Sequence, residues 1–194
     1  MGKNMSTQKN KKRYKIGVFG SDAGDSVRDA AHIAKSLGAA LGKAKATVIT
    51  GACSSLPYIA ASEAHKLGSK VWGFSPKTNL AGQKKFAPYD DIKMYSRIIY
   101  VSKSFPFLGQ ERALSKYRNV ISTATCEAGI VISGRWGSLN EFTNLFDMGK
   151  VVGVLPRAEA SPMNCHALRR KYISPGRALW YMIHHQHVLY EKCS

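Results

Sequence analysis

The chain holds no apolar run approaching the roughly 20 residues that a membrane-spanning helix needs. No apolar segment follows the basic N-terminus in the manner of a secretory leader. Neither a membrane protein nor a secreted one is expected, and the expected compartment is the cytoplasm. Cysteine is sparse: Cys53, Cys126, Cys165 and Cys193 are scattered with no CxxC pair. That spacing suggests neither a zinc site nor a disulfide framework, so no metal is expected. Acidic residues are also few, 12 against 29 Lys and Arg, for a net charge of +17.

So basic a chain has the charge of a nucleic-acid binder, but the distribution argues otherwise. Residues 1–15 carry +6 of the +17 and residues 156–194 carry +4, which leaves +7 on residues 16–155. The stretch GKNMSTQKNKKRYK reads as a solvated, disordered basic tail over residues 1–15. No RRM, zinc-finger or other nucleic-acid module pattern accompanies the charge, and nucleic acid is not an expected partner. A basic body also suits a small phosphorylated ligand.

Residues 16–155 alternate short apolar runs with amphipathic ones. Strands are expected at 16–19, 46–50, 71–74, 98–101, 130–132 and 151–155. The first helix buries Val27, Ala31, Ala34, Leu37 and Leu41, at three- and four-residue spacing. A second helix starts at Pro57 and stops at Gly68, and a third spans 112–126. Residues 77–95 are polar and irregular, the pattern of a surface excursion. His32 and His65 fall on helices as surface or packing residues. The alternation predicts a single α/β domain over 16–155, a Rossmann-like parallel sheet with helices on both faces. In such sheets ligands bind beyond the carboxyl ends of the strands, and GSDAG, GACSSL, GFSP and SGRWGS all fall there. The GxGxxG fingerprint of dinucleotide enzymes is absent, since Gly17, Gly20 and Gly24 are wrongly spaced and no acidic residue ends the second strand.

The stretch AGIVISGRWGSLNE, residues 128–141, is the centre of this arrangement. A β-branched strand breaks into a loop in which Gly134 and Gly137 bracket Arg135 and Trp136, and Ser138 is placed to cap the helix that Gly149 ends. A helix mouth of that kind offers free N–H groups to a phosphate. Gly20, Ser21, Gly51 and Ser75, at the other strand ends, are candidate ligand contacts beside Gly134, Arg135, Gly137 and Ser138, with ordinary turn chemistry as the alternative. Trp136 suits either base stacking or core packing. Asp22 and Asp25 suit sugar hydroxyls or helix capping equally.

The segments IGVFGSDAG, TGACSSLPYIAASEAHKLGSKVWGFSP, YRNVISTATCEAGIVISGRWGSLNEF and GKVVGVL together resemble the LOG family, once labelled lysine decarboxylases and related to molybdenum-cofactor carrier proteins. The resemblance covers about residues 15–155. It implies a nucleotide-binding protein. The plant-type members are nucleoside 5′-monophosphate phosphoribohydrolases, which release a free base and ribose 5-phosphate. No cofactor requirement is implied; a nucleotide monophosphate or a molybdopterin-type ligand is, and a homo-oligomer by analogy. The alternative reading is a non-catalytic carrier of a nucleotide or pterin cofactor. The family loop is PGGxGTxxE with an upstream Arg-Lys pair. Gly134, Gly137, Ser138 and Glu141 match that loop in kind, and Arg118 matches the upstream arginine. Ser133 stands for the Pro, Arg135 for the second Gly, Ser138 for the Thr, and Asn119 for the Lys. By resemblance Glu141 is the catalytic carboxylate, Arg118 holds phosphate or sugar, and Asn119 joins them at the ligand. Ser138-x-x-Glu141 is equally a capping box, in which the glutamate does no chemistry.

After Leu155 the α/β rhythm stops. Residues 156–194 hold four of the six His and two of the four Cys. Read one frame over, Met163-Asn164 forces Glu, Asn164-Cys165 forces Leu, Trp180-Tyr181 forces Val and Met182-Ile183 forces Asp, an order the family shows. The expectation is an atypical, out-of-frame tail from about Pro156, with a lineage-specific His-rich extension as the alternative.

Overall fold

The computed structural model describes residues 13–21, 25–134 and 136–155, without the side chains of residues 25 and 26. Expectations for residues 1–12, Asp22, Arg135 and residues 156–194 lie outside the described residues.

Six strands form one parallel sheet: β1 (Lys15–Gly20), β2 (Thr47–Thr50), β3 (Lys70–Phe74), β4 (Arg97–Ile99), β5 (Ala128–Ile132) and β6 (Val151–Leu155). They lie in the order β4-β3-β2-β1-β5-β6, each neighbour paired parallel. Five helices complete the described fold: α1 (Asp25–Lys43), α2 (Leu56–Lys66), α3 (Leu80–Phe86), α4 (Glu111–Thr125) and α5 (Trp136–Asp147). The α/β Rossmann-like expectation holds.

Alternation along β1 sorts the core into two layers. Ile16 and Val18 face one way and pack with Ala34, Leu37 and Leu41 of α1 and Ala60 and Ala64 of α2. Phe19 joins the opposite layer with Cys126, Val131 and Leu145. Ile121 of α4 and Phe142 of α5 pack against that second layer. Each large apolar side chain so buried contributes about 1.5–3 kcal/mol relative to exposure.

The chain runs from β1 outward to β4, then returns to add β5 on the other side of β1. The β1–β5 junction is therefore the point where the winding reverses, and a crevice opens beyond the carboxyl ends of those strands.

Two sequence expectations change. Residues 77–95 are more than a surface loop: they contain α3, capped by Asn79 Oδ1 accepting from the Gly82 N–H, and a 3-10 turn at Ile92–Met94. Gln83, Met94 and Tyr95 of this stretch are buried. The second change is at α5, which begins at Trp136, so Ser138 is its third residue and not its cap. Glu141, in the second turn, is then out of reach of a capping box, because that motif needs its glutamate at the third helical position.

Candidate functional site

A cavity of about 280 Å³ fills the crevice at the β1–β5 junction. The end of β1 supplies its floor through Val18, Phe19, Gly20 and Ser21. The loop after β2 adds Gly51 and Cys53, α4 adds Arg118 and Asn119, and α5 adds Trp136, Gly137, Ser138 and Glu141. Nine of the residues singled out from sequence thus come together: Gly20, Ser21, Gly51, Arg118, Asn119, Trp136, Gly137, Ser138 and Glu141. Gly134 sits just behind the lining, against Ser138 and the Ser21 amide. Ser75 is not in the lining. It is fully buried and its Oγ accepts from the Lys77 N–H at 3.0 Å, a local turn contact.

Arg118 reaches the loop after β2 across 67 residues of sequence, its Nη1 donating to the Gly51 carbonyl at 2.8 Å. A Cβ on residue 51 would fall on the guanidinium, so glycine is what lets the arginine lie there. Arg118 Nη1 also stands 3.9 Å from Cys53 Sγ. Its Nε is buried with no hydrogen-bond partner, and no carboxylate pairs with the group among the described residues. A half-buried cation left without a counter-charge is costly unless something supplies one.

Asn119, next along α4, is 4% exposed. Its Nδ2 donates to Asn140 Oδ1 at 3.1 Å, tying α4 to α5, while its Oδ1 is buried without a partner. Glu141 is 7% exposed and faces the same cavity. Trp136 stands at the rim with 82% of its surface exposed, so the core-anchor alternative does not apply.

The turn between β5 and α5 is wound tightly. Ser133 takes φ 52° and Gly134 takes φ 129°. A Cβ on residue 134 would meet Ser138 Oγ, which packs into the inside of the turn. Ser133 is held by its N–H donating to the Leu155 carbonyl at 2.8 Å. A proline is locked near φ −65° and could not occupy this position as it stands. The exchange of the LOG-type Pro for Ser133 is therefore a change of backbone as well as of side chain.

Cys53 and Pro57 line the cavity without having been singled out. The available signal was position: both belong to the segment GACSSLP that leaves β2. Among the described residues no group of three His, Cys, Asp or Glu could hold a metal ion. No described helix is long and apolar enough to cross a membrane.

A model of the SLOG cluster4 family matches residues 13–176. The chain belongs to this family. The SLOG superfamily includes LOG-like proteins, which upholds the resemblance read from the motifs. Solved structures place this SLOG chain among similar folds. The molybdenum cofactor binding protein from the phototrophic bacterium Rippkaea orientalis superposes with a TM-score of 0.64 at 16% identity, over 89% of this chain and 97% of that one. The Moco carrier protein from Chlamydomonas reinhardtii gives 0.60 at 16% identity, over 89% and 96%. DNA processing protein A from Streptococcus pneumoniae gives 0.56 at 16% identity, over 87% of this chain and 61% of that one. At these identities the likeness is one of fold. No curated protein matches the sequence.

Proposed function

We propose that this SLOG chain binds a nucleoside 5′-monophosphate in the β1–β5 crevice and hydrolyses its N-glycosidic bond. The observation that carries the reading is Arg118, a half-buried guanidinium with no carboxylate partner among the described residues, across the same cavity as the buried Glu141. A phosphate supplies the missing counter-charge. The cavity, at about 280 Å³, falls just below the roughly 300–1,000 Å³ usual for ligand pockets. That suits a mononucleotide better than a dinucleotide.

In the reaction the C1′–N bond breaks as a water oxygen bonds to C1′, and the water proton ends on the departing base. Products are free base and ribose 5-phosphate. Glu141 stabilises the oxocarbenium-like sugar and orients the water. Arg118 holds the phosphate, and the exposed ring of Trp136 is a platform for the base.

A second reading is carriage without hydrolysis, of a nucleotide or a molybdopterin-type ligand. It is favoured by the left-handed Ser133 in place of the loop proline and by Asn119 in place of the lysine of the upstream pair. Purified protein incubated with AMP separates the two. Hydrolysis yields adenine and ribose 5-phosphate in equal amounts, whereas carriage yields binding and no products. Absence of binding to either ligand class overturns both.

A further inference from the structure

The loop that carries Gly51 is held in a conformation its own residues disfavour. Ala52 takes φ 47° and Ser55 takes φ 93°, both in the left-handed region that side chains avoid. Contacts from outside the loop hold it there. Ser55 Oγ donates to the Ser21 carbonyl at 2.7 Å on the cleft side. On the opposite side, two side chains of the 77–95 stretch reach in. Gln83 Nε2 donates to the Ala52 carbonyl at 2.7 Å, a buried bond, and Ser54 Oγ donates to Asp90 Oδ1 at 2.8 Å.

Gln83 has no exposed surface, and its Oε1 is buried without a partner. Asp90 Oδ2, nearby in the chain, shares that condition. Burying an amide with half its hydrogen-bonding capacity unmet is unfavourable, and the bond made by the other half has to offset that cost. For Gln83 that bond is to the Ala52 carbonyl, one residue from the Gly51 carbonyl on which Arg118 Nη1 rests. Neither Gln83 nor Asp90 lines the cavity.

We infer that Gln83 and Asp90 are positioning residues: from behind the sheet's rim they fix residues 52–54, and through them the site of Arg118. The inference requires only that Arg118 is a cleft cation and does not depend on what the cleft binds.

Cys53 lies within the held segment and is half-buried, so its alkylation by iodoacetamide, mapped by peptide, reports loop opening. Cys126, buried in the opposite core layer with its thiol pushed up to about 11 by burial, reports loss of the fold instead. Gln83→Leu in the full chain is expected to raise Cys53 alkylation about tenfold, the scale of one lost buried hydrogen bond, with Cys126 unchanged. Asp90→Ala is expected to act the same way, and Asp90→Asn, which keeps an acceptor for Ser54, to restore the original rate. AMP affinity should fall with the loop in Gln83→Leu. Cys53 alkylation within about twofold of the parent in both Gln83→Leu and Asp90→Ala overturns the inference, as does a parallel rise at Cys126. Should Gln83→Leu fail to fold, the Asp90→Ala comparison decides alone. If the parent chain binds no AMP, the nucleotide reading falls and the cysteine comparison still stands.

Discussion

Arg118 Nη1 and the Gly51 carbonyl meet at 2.8 Å because residue 51 has no side chain for the guanidinium to collide with. Gly51 itself takes no left-handed φ, so alanine suits its backbone. Gly51→Ala should therefore leave the fold intact and push Arg118 aside, since the group struck is the far end of a flexible side chain. The expected result is AMP affinity down about tenfold or more at a nearly unchanged melting temperature, read by calorimetry and thermal denaturation on the same preparation.

Glu141 faces the cavity from the second turn of α5, beyond capping distance of its own N-terminus. Glu141→Gln keeps shape and removes the charge that the proposed hydrolysis assigns to stabilising an oxocarbenium-like sugar. Release of adenine from AMP should fall about a hundredfold or more while AMP binding holds within a few-fold. A variant that releases base as fast as the parent excludes Glu141 as the catalytic carboxylate.

Trp136 is the exposed aromatic on the rim, and Trp72 is occupied by Lys15 and Arg97 stacked over its ring. Trp136→Ala should weaken nucleotide binding by about 1–3 kcal/mol, the usual worth of a base on an aromatic platform, with Trp136→Phe close to the parent. Titration of intrinsic fluorescence with AMP checks this directly, since quenching should disappear in the alanine variant.

Burial raises the Asp90 carboxyl above its ordinary 3.8, and the hydrogen bond from Ser54 opposes the rise only in part. The folded chain thus holds that proton more tightly than the unfolded one. Its contribution to stability is full below 3.8 and is lost as pH climbs through the raised value. Asp90→Asn does not titrate and still accepts from Ser54. It should melt higher than the parent at about pH 7, and the difference should close as the pH is lowered below the ordinary carboxylate value. A gap that does not vary with pH would contradict this.

Much of the fold was legible because β-branched runs and three-to-four-residue apolar spacing are local signals. The loops at the strand ends followed, and with them most of the cavity lining. What stayed hidden depends on distant partners. Gly51 resembles an ordinary turn glycine until Arg118, 67 residues on, is seen lying against it. Residues 77–95 looked like surface because α3 has only seven residues, too few for periodicity to reveal that Gln83 points inward. The start of α5 was misplaced because Ser138 is a good capping residue, and only the observed start at Trp136 shows that it packs inside the turn instead.

The crevice draws its walls from both sides of the β1–β5 seam, the ends of β1 and β2 on one side and α5 on the other. Among the described residues neither half of the chain supplies the whole lining, so the proposed ligand would favour the completed sheet over a half-assembled one. An occupied crevice behaves as a rivet through the seam of the sheet, and its strength is added to the cooperative unfolding of the whole domain.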